Sequence, residues 1–516
     1  MVQQRKGRHR SRIQVLAGLL ALSIGNAGGV DDSEGDAPRG RRAPSLVYSI
    51  VNLPAEDGAV SFLNEEGQVA FHSHAFGSNG FFDGARVHDI GSLGGDYTLV
   101  AGLNNRGMVV GEAVDGRQAG ALRAFRWSQG GGMRALPGPD GSAARAVNDR
   151  GQVVGVMPGS GASARAVRWE PDGRVVELGR APWSLSEASA LNDAGMAGGF
   201  ADVRGGRIHA TLWGPAGRAI DLGAMGGARG FTLVVNRRGE AAGVSDTAVE
   251  GRRQGFFWSP REGRVAIGAE GSSQRLVAAL NDRGDVVGNT ERAAGSVAYL
   301  WSRARGLVLL PAGAGAASEV VDLNNRGDMV GSINRPGSSM RAVRWSGGRM
   351  PVDLNPRLHR PPAGLILYAA TAINDAGTIV ATSNAGLVLL RPGKHGADAP
   401  VLGPVLGLPD TVEVGKELSM KLAFVGSAAP QAYTVKADWS DSCPSPPPRV
   451  RAGPGGGNVT LRHRFCSPGA HSLTLTVANE RRYTTDIRRR VEVKEAGLGQ
   501  VDPAHTTSQK RKTETK

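Results

Sequence analysis

The stretch from Ala144 to Val156, Ala-Arg-Ala-Val-Asn-Asp-Arg-Gly-Gln-Val-Val-Gly-Val, decides the fold of most of the chain. Two short apolar segments flank Asn148-Asp149-Arg150-Gly151. Asn at the start of a turn accepts hydrogen bonds from the following backbone, and Gly at its end tolerates a positive φ, so a β-hairpin is predicted. A third strand over Arg165–Trp169 and a fourth over Arg174–Leu178 complete one unit. Four short antiparallel strands in about 44 residues is the size of a propeller blade.

This unit recurs along the chain. Asn-x-x-Gly begins at Asn64 and returns seven times at intervals of 40 to 50 residues. Tryptophan keeps the same period at positions 127, 169, 213, 258, 301 and 345, which favours a repeated packing role over sugar stacking. The predicted turn motifs after the first are Asn104 and Gly107, Asn148 and Gly151, Asn192 and Gly195, Asn236 and Gly239, Asn281 and Gly284, Asn324 and Gly327, and Asn374 and Gly377.

The two ends of the array complement each other. The last unit shows only three strands, at Ala370–Ile373, Thr378–Ala381 and Leu387–Leu390, whereas a lone strand-like segment, Val47–Leu53, precedes the first unit. If that segment completes the last unit, the ring closes as three strands plus one and leaves no open edge. The sequence therefore predicts an all-β protein with a β-propeller of about eight blades. A linear β-solenoid is the rival architecture.

The repeat unit resembles the HAF repeats of bacterial extracellular proteins. The resemblance rests on Arg-Ala-Phe-Arg-Trp at 123–127, Ala-Val-Arg-Trp at 166–169, Leu-Asn-Asn-Arg-Gly at 103–107, and a literal His-Ala-Phe at 74–76. It covers about residues 46–392. The resemblance implies export and a propeller-like repeat, and the family has no assigned enzymatic activity.

A different pattern occupies residues 410–495. Strands are expected at Leu418–Phe424, Tyr433–Trp439, Asn458–Phe465, His471–Val477 and Asp486–Val493, which predicts a β-sandwich. The segments Ala-Asp-Trp-Ser-Asp at 437–441 and Arg-Phe-Cys-Ser-Pro-Gly at 464–469 resemble PKD domains, which are immunoglobulin-like extracellular modules. Cys443 and Cys466 are the only two cysteines, and in an exported chain such a pair favours a disulfide bond.

The N-terminus predicts export through a cleavable signal peptide, residues 1–27. A basic stretch, an apolar run too short to span a bilayer, and small residues before position 28 follow one another in the required order. Residues 28–45 and 393–409 are predicted linkers, and residues 496–516 a disordered tail. The net charge of +14 would attract acidic polysaccharides or anionic envelope surfaces without specificity.

Few residues stand outside the repeat as site candidates. His72 and His74 share one face of a strand, but two ligands without a third make a weak metal site. Trp183 breaks the tryptophan period and is the better candidate for an exposed aromatic. No clustered nucleophile, acid–base pair, metal set or cofactor motif stands out, so the chain is expected not to be an enzyme and to need no cofactor.

The expected function is an exported binding or adhesive scaffold, secreted or periplasmic, that presents propeller loops and the immunoglobulin-like module to a glycan or an envelope protein. A nucleic-acid partner is not expected, nor is a transmembrane segment in the mature chain, and the protein is expected to be a monomer. A propeller-type polysaccharide lyase or hydrolase is the alternative, and a purely structural spacer is a further one.

Overall fold

The structure is a computed structural model that describes residues 46–55, 59–72, 79–117, 120–161, 163–179, 184–203, 206–271, 276–292, 295–313, 315–393, 400–426, 433–453, 455–480 and 484–495. The predicted signal peptide, the linker 28–45 and the tail 496–516 lie outside these residues, as do His74 and Trp183. Across the described ranges the protein is all-β, as predicted, and its strands form four-stranded sheets that are almost entirely antiparallel.

The repeat array begins with β1 (Tyr48–Asn52). Seven sheets then follow, each made of four consecutive strands that pair in chain order. In sequence these strands are β2–β5 (Val60–Leu63, Val69–His72, Asn79–Phe82, Val87–Asp89), β6–β9 (Gly94–Leu103, Val109–Asp115, Ala121–Ser128, Gly132–Ala135), β10–β13 (Ala143–Val147, Val153–Pro158, Ala164–Trp169, Val175–Glu177), β14–β17 (Ser186–Leu191, Ala197–Val203, Arg207–Trp213, Ala219–Gly223), β18–β21 (Gly230–Val235, Ala241–Asp246, Arg253–Ser259, Gly263–Gly271), β22–β25 (Ala279–Leu280, Val286–Arg292, Gly295–Ser302, Gly306–Leu309) and β26–β29 (Ala317–Leu323, Asp328–Asn334, Arg341–Ser346, Val352–Asp353). A short 3-10 helix, Asn355–Arg357, leads into the eighth sheet.

The eighth sheet joins the two ends of the array. It contains β30 (Leu367–Ile373), β31 (Ile379–Ser383) and β32 (Gly386–Pro392), with β1 as its fourth strand. β1 runs antiparallel to β32 from the pair Tyr48 and Pro392 to the pair Asn52 and Val388. This is the pairing that the lone segment Val47–Leu53 predicts.

The first sheet also packs against the eighth. Val69 and Phe71 share one buried cluster with Val380 and Leu389. The sheets therefore contact one another in a cycle rather than in an open row.

A β-bulge recurs between the first two strands of most repeats. In the third sheet the register shifts between Ala144 and Ala146, opposite Gly155 of β11. A Cβ atom at Gly155 would lie 2.0 Å from the Ala143 carbonyl oxygen, so a side chain at this position forces the strand to move. The same close approach to a carbonyl occurs at Gly111, Gly199, Gly243, Gly288 and Gly331.

Two further four-stranded sheets form the C-terminal region. Their strands are β33 (Val401–Leu402), β34 (Thr411–Glu413), β35 (Glu417–Val425), β36 (Tyr433–Trp439), β37 (Arg449–Gly453), β38 (Gly456–Arg464), β39 (Gly469–Asn479) and β40 (Thr484–Lys494). One sheet has the order β33-β35-β38-β37 and the other β34-β40-β39-β36. The sequence predicted five of these strands. It missed β33, β34 and β37, which are short or lie at sheet edges.

The C-terminal sheets are docked on the repeat array. Asn52 of β1 donates to the Leu402 carbonyl at 3.1 Å and accepts from the Leu402 amide at 2.8 Å. One buried cluster runs from Tyr48 and Leu390 to Leu402 and Phe424. The segment 393–409, predicted as a linker, therefore contains a strand that belongs to the interface.

No helix within the described ranges is long and apolar enough to cross a membrane.

Candidate functional site

The Asn-x-x-Gly turns meet at one end of the repeat array. In the third repeat, Asn148 Oδ1 accepts from the amides of Arg150 and Gln152, at 3.1 and 3.0 Å, which holds the turn closed. Gly151 has a φ of 78°, and the matching glycines from Gly107 to Gly377 all have positive φ. Only Gly adopts this conformation without steric cost, so the turn is determined locally by two residue types.

The amide nitrogen of each Asn links its repeat to the next. Asn148 Nδ2 donates to the Asn192 carbonyl oxygen at 3.0 Å, and every other Asn repeats this contact at 2.8 to 3.3 Å. Asn374 donates to Asn64, so the cycle of eight hydrogen bonds closes on itself. The sequence predicted the turns but not this second role of the Asn side chains.

A second ring involves the residue that follows each Asn. Its backbone amide donates to the side-chain oxygen at the matching position of the next repeat, as Asn105 does to Asp149 Oδ1 at 2.8 Å. Seven of the eight junctions have this bond, at 2.7 to 3.0 Å. The exception is the junction from Asp193 to Arg237, because the guanidinium group of Arg237 has no hydrogen-bond acceptor to offer the Asp193 amide. Arg237 Nε instead lies 3.8 Å from Asp193 and 3.9 Å from Asp282.

The two rings surround a cavity of about 370 Å³, which we call the axial cavity. Six carboxylates and one guanidinium line it, although the whole chain has a net charge of +14. The carboxylates belong to Glu65, Asp149, Asp193, Asp282, Asp322 and Asp375. Apolar residues that precede each Asn, such as Leu103 and Val147, also line the cavity. The surface of the axial cavity is therefore mainly polar and carries an excess of negative charge.

Two of these carboxyl groups have altered acidity. Burial raises the pKa of Asp322 to about 6, although its oxygens accept from the amides of Ile373 and Leu323. Burial also raises the pKa of Glu65, opposed by its hydrogen bond from the Asp375 amide. Asp322 occupies a position that holds an apolar residue or Gly in the other repeats, such as Ala146 and Ala190. That departure from the repeat was visible in the sequence and could have singled it out.

A second group of non-repeating charges bridges three successive sheets. Arg145 lies 3.1 Å from Glu112 and 2.9 Å from Glu187. Burial raises the pKa of Glu187, and the Arg145 charge opposes that rise. Both carboxylates are paired with the same guanidinium, so this group contributes contacts between sheets and is not a free acid–base pair.

Most of the other residues that the sequence singled out make structural contacts rather than forming a site. His72 is 2 % exposed, and its Nδ1 accepts from the Val100 amide at 3.3 Å. Five of the six periodic tryptophans are buried, and Trp169 and Trp345 donate to proline carbonyls at 2.7 and 2.9 Å. Cys443 and Cys466 form the predicted disulfide bond. No group of three or more His, Cys, Asp or Glu residues that could hold a metal is found in the described part of the chain.

The C-terminal region brings together three residues that the sequence did not connect. The Ser445 hydroxyl lies 2.6 Å from His463 Nδ1, and His463 Nε2 lies 3.0 Å from Asp441 Oδ1. Trp439 stacks on the His463 ring at 4.0 Å. Burial lowers the pKa of His463, opposed by the nearby Asp441 carboxylate. Ser445 is exposed, whereas the contact between His463 and Asp441 is not aligned as a hydrogen bond.

Comparisons with known proteins find similarity in structure only. No family model matches the chain, and no curated protein matches it. Solved structures that it resembles include a puromycin hydrolase (14% identity, 65% of this chain and 60% of that one, TM-score 0.37), dipeptidyl peptidase 4 of Porphyromonas gingivalis (9%, 74% and 64%, 0.38) and TolB of Acinetobacter baumannii (12%, 48% and 61%, 0.32). The chain spans about three fifths of the length of TolB and of the puromycin hydrolase.

These comparisons correct one expectation. We expected the chain not to be an enzyme, because no catalytic constellation stands out in the sequence and the family that the repeat resembles has no assigned enzymatic activity. The solved structures that it resembles include a hydrolase, a dipeptidyl peptidase and the tricorn protease. These matches contradict the expectation that the chain is not an enzyme. At 9 to 14% identity the resemblance assigns no particular activity to this chain.

Proposed function

We propose that the protein is an exported binding or adhesive scaffold, and that the axial cavity is its binding site. In this proposal the eight sheets of the repeat array are the blades of one β-propeller of the HAF-repeat type, closed as three strands plus one. The C-terminal sheets form a PKD-type, immunoglobulin-like sandwich. The partner is a glycan or an envelope protein, and the protein acts as a monomer outside the cytoplasm.

The observation that carries the proposal is the charge of the axial cavity. Six carboxylates converge there in a chain that is otherwise basic, and Asn side chains and backbone hydrogen bonds hold the turns in place. Rigid turns that present like charges at a concave surface raise the local concentration of ligands of opposite charge. The carboxylates suit a ligand that carries cationic groups, such as an amino sugar or a lysine side chain.

The repeat itself supplies a matched way to test the cavity. Asn occupies the ring position in two repeats, Asn105 and Asn325, and makes the same acceptor contact as Asp. Asp149→Asn, Asp193→Asn and Asp282→Asn together therefore remove three charges and keep the ring of acceptors. Arg237→Asn makes the opposite change, because it removes the one cation among the described residues that line the axial cavity.

The experiment compares binding of a glucosamine hexamer and a lysine-rich peptide with binding of their N-acetylated forms, by calorimetry. We expect only the cationic forms to bind, the triple variant to weaken them at least about 10-fold, and Arg237→Asn to strengthen them. Equal binding of acetylated and free forms, or no effect of the triple variant, would reject the axial cavity as the site.

Hydrolysis is the second candidate function, and one observation favours it. Ser445, His463 and Asp441 have the residue types of a nucleophile, a base and a carboxylate, with Ser445 within hydrogen-bond distance of His463 and Asp441 3.0 Å from its other nitrogen. A fluorophosphonate probe should then label Ser445 in the wild type and in the Ser442→Ala control, but not in Ser445→Ala. Absence of labelling in all three would leave Ser445 as a structural partner of His463.

A further inference from the structure

The outer face of the sheet β33-β35-β38-β37 is strongly basic. Side chains alternate along β35 and β38, so Leu418, Met420 and Leu461 are buried while their neighbours face outward. Five exposed cations lie on this outer face, namely Lys421, Arg449, Arg451, Arg462 and Arg464.

The strand register brings these cations close together. Lys421 of β35 and Arg449 of β37 both pair with Thr460 of the central strand β38. Neighbouring strands lie about 4.8 Å apart, and residues two positions apart on one strand are separated by about 7 Å. Arg462 and Arg464 therefore continue the same band of positive charge along β38.

The band lines a groove of about 910 Å³. Pro444, Pro446 and Pro447, next to the disulfide bond, contribute to its lining. Glu417 is the only carboxylate among the lining residues, and it lies 3.8 Å from both Arg462 and Arg464. All three of these side chains are more than half exposed, so the ion pairs are weak and the cations remain available to a ligand.

We infer that this groove binds a linear polysaccharide that carries carboxylate groups. Arginine binds carboxylates with two parallel hydrogen bonds, and four arginines are spread over two strands here. The proline rings offer apolar surface for the C–H faces of sugar rings. None of the lining residues is Phe, Tyr or Trp, so the groove lacks the stacking platforms that single-stranded nucleic acids use.

The site differs from the axial cavity in position and in charge. It therefore does not depend on the function proposed above, and the two can be tested separately. A chain with both sites would bind cationic groups at the repeat array and anionic glycan at the C-terminal sheets.

The experiment measures binding of the full chain to polygalacturonate, with neutral dextran of similar length as the reference. Arg449→Ser combined with Arg462→Ser removes one cation from each of two strands. We expect this double variant to weaken polygalacturonate binding at least 10-fold, and added salt to weaken wild-type binding, because screening reduces attraction between exposed charges.

A matched control removes the same charge elsewhere. Arg305 and Arg349 are exposed residues of turns in the repeat array, so Arg305→Ser with Arg349→Ser should bind polygalacturonate as the wild type does. Thermal unfolding of both double variants checks that the fold is retained. Equal weakening by the control pair, equal binding of dextran, or tighter binding of single-stranded DNA than of polygalacturonate would overturn the inference.

Discussion

The repeat array and the C-terminal region are both built from four-stranded sheets, but different contacts hold them together. In the array, each repeat contributes the same few contacts: an Asn amide to the next repeat, a buried Trp in most repeats, and a small residue beneath a bulge. In the C-terminal region, features that occur only once hold the sheets together, chiefly the disulfide bond and the cluster of Trp439, His463 and Phe465.

This difference predicts how each region responds to change. Loss of one repeated contact leaves seven copies in place, so its effect should be moderate and spread over the ring. Loss of a single-copy contact has no such substitute, so its effect should be larger and confined to its own sheets. Closure of the ring by β1 is a feature of the array that exists only once.

The largest effect is expected from deletion of residues 46–53. These residues include β1, so the deletion leaves β32 as an open edge and removes the Asn52 contacts to the C-terminal sheets. We expect the soluble, cooperatively folded chain to be lost, as measured by size-exclusion chromatography and circular dichroism. Removal of residues 1–45 alone is the control, since it keeps β1. A fully folded deletion variant would show that closure is dispensable.

Replacement of both cysteines by serine should have the next largest effect. The bond joins residues 23 positions apart, and a cross-link of this length stabilises by about 3 kcal/mol in the chain-entropy model. We expect unfolding of the C-terminal sheets at lower denaturant concentration, with the array unchanged. Subtracting the fluorescence of a Trp439→Phe variant leaves the signal of Trp439, which reports unfolding of the C-terminal sheets. The fluorescence that remains in the Trp439→Phe variant reports unfolding of the array. A simultaneous shift of both transitions would contradict the distinction between them.

Asn148→Ala tests a repeated contact. Asn148 bonds the amides of Arg150 and Gln152 within its turn and the carbonyl of Asn192 in the next repeat. Loss of these bonds should cost about 2 kcal/mol of unfolding free energy, because the buried bond to the Asn192 carbonyl and two partly buried bonds are lost together. Asp172→Ala, in an exposed turn with one such bond, should cost less than about 0.5 kcal/mol. Equal costs would mean that the ring of Asn contacts adds nothing to stability.

The smallest effect concerns pH. The pKa of Asp322 is raised to about 6 in the folded chain, so its contribution to stability is present below pH 4 and is lost as the pH rises through 6. Because the Asp322 side chain lines the axial cavity and is partly exposed, we expect this loss to be about 1 kcal/mol. Unfolding at pH 4 and pH 7 should show it in the wild type and in Asp172→Asn, but not in Asp322→Asn. A parallel pH dependence in all three would show that Asp322 does not titrate in this range.

Much of the fold follows from the sequence because its signals are local and repeated. Asn-x-x-Gly determines a turn through the hydrogen-bonding capacity of Asn and the positive φ of Gly, and eight copies make the period unmistakable. The closing strand could also be predicted, because one end of the array lacks a strand that the other end has in excess. By contrast, β33 and β37 carry little pattern of their own, and pairing with β35 and β38 defines them.

The candidate sites depended on the tertiary structure. The sequence determined which residues stand at the second position of each turn, including Asp149, Arg237 and Asp282, but Asp149 is 88 residues from Arg237 and Arg237 is 45 residues from Asp282. Only the closed cycle of repeats brings their charges to one cavity, just as only the strand register places Arg449 and Arg462 on one face. Turns are set by bonds within a few residues, whereas a binding surface is set by the contacts that bring distant segments together.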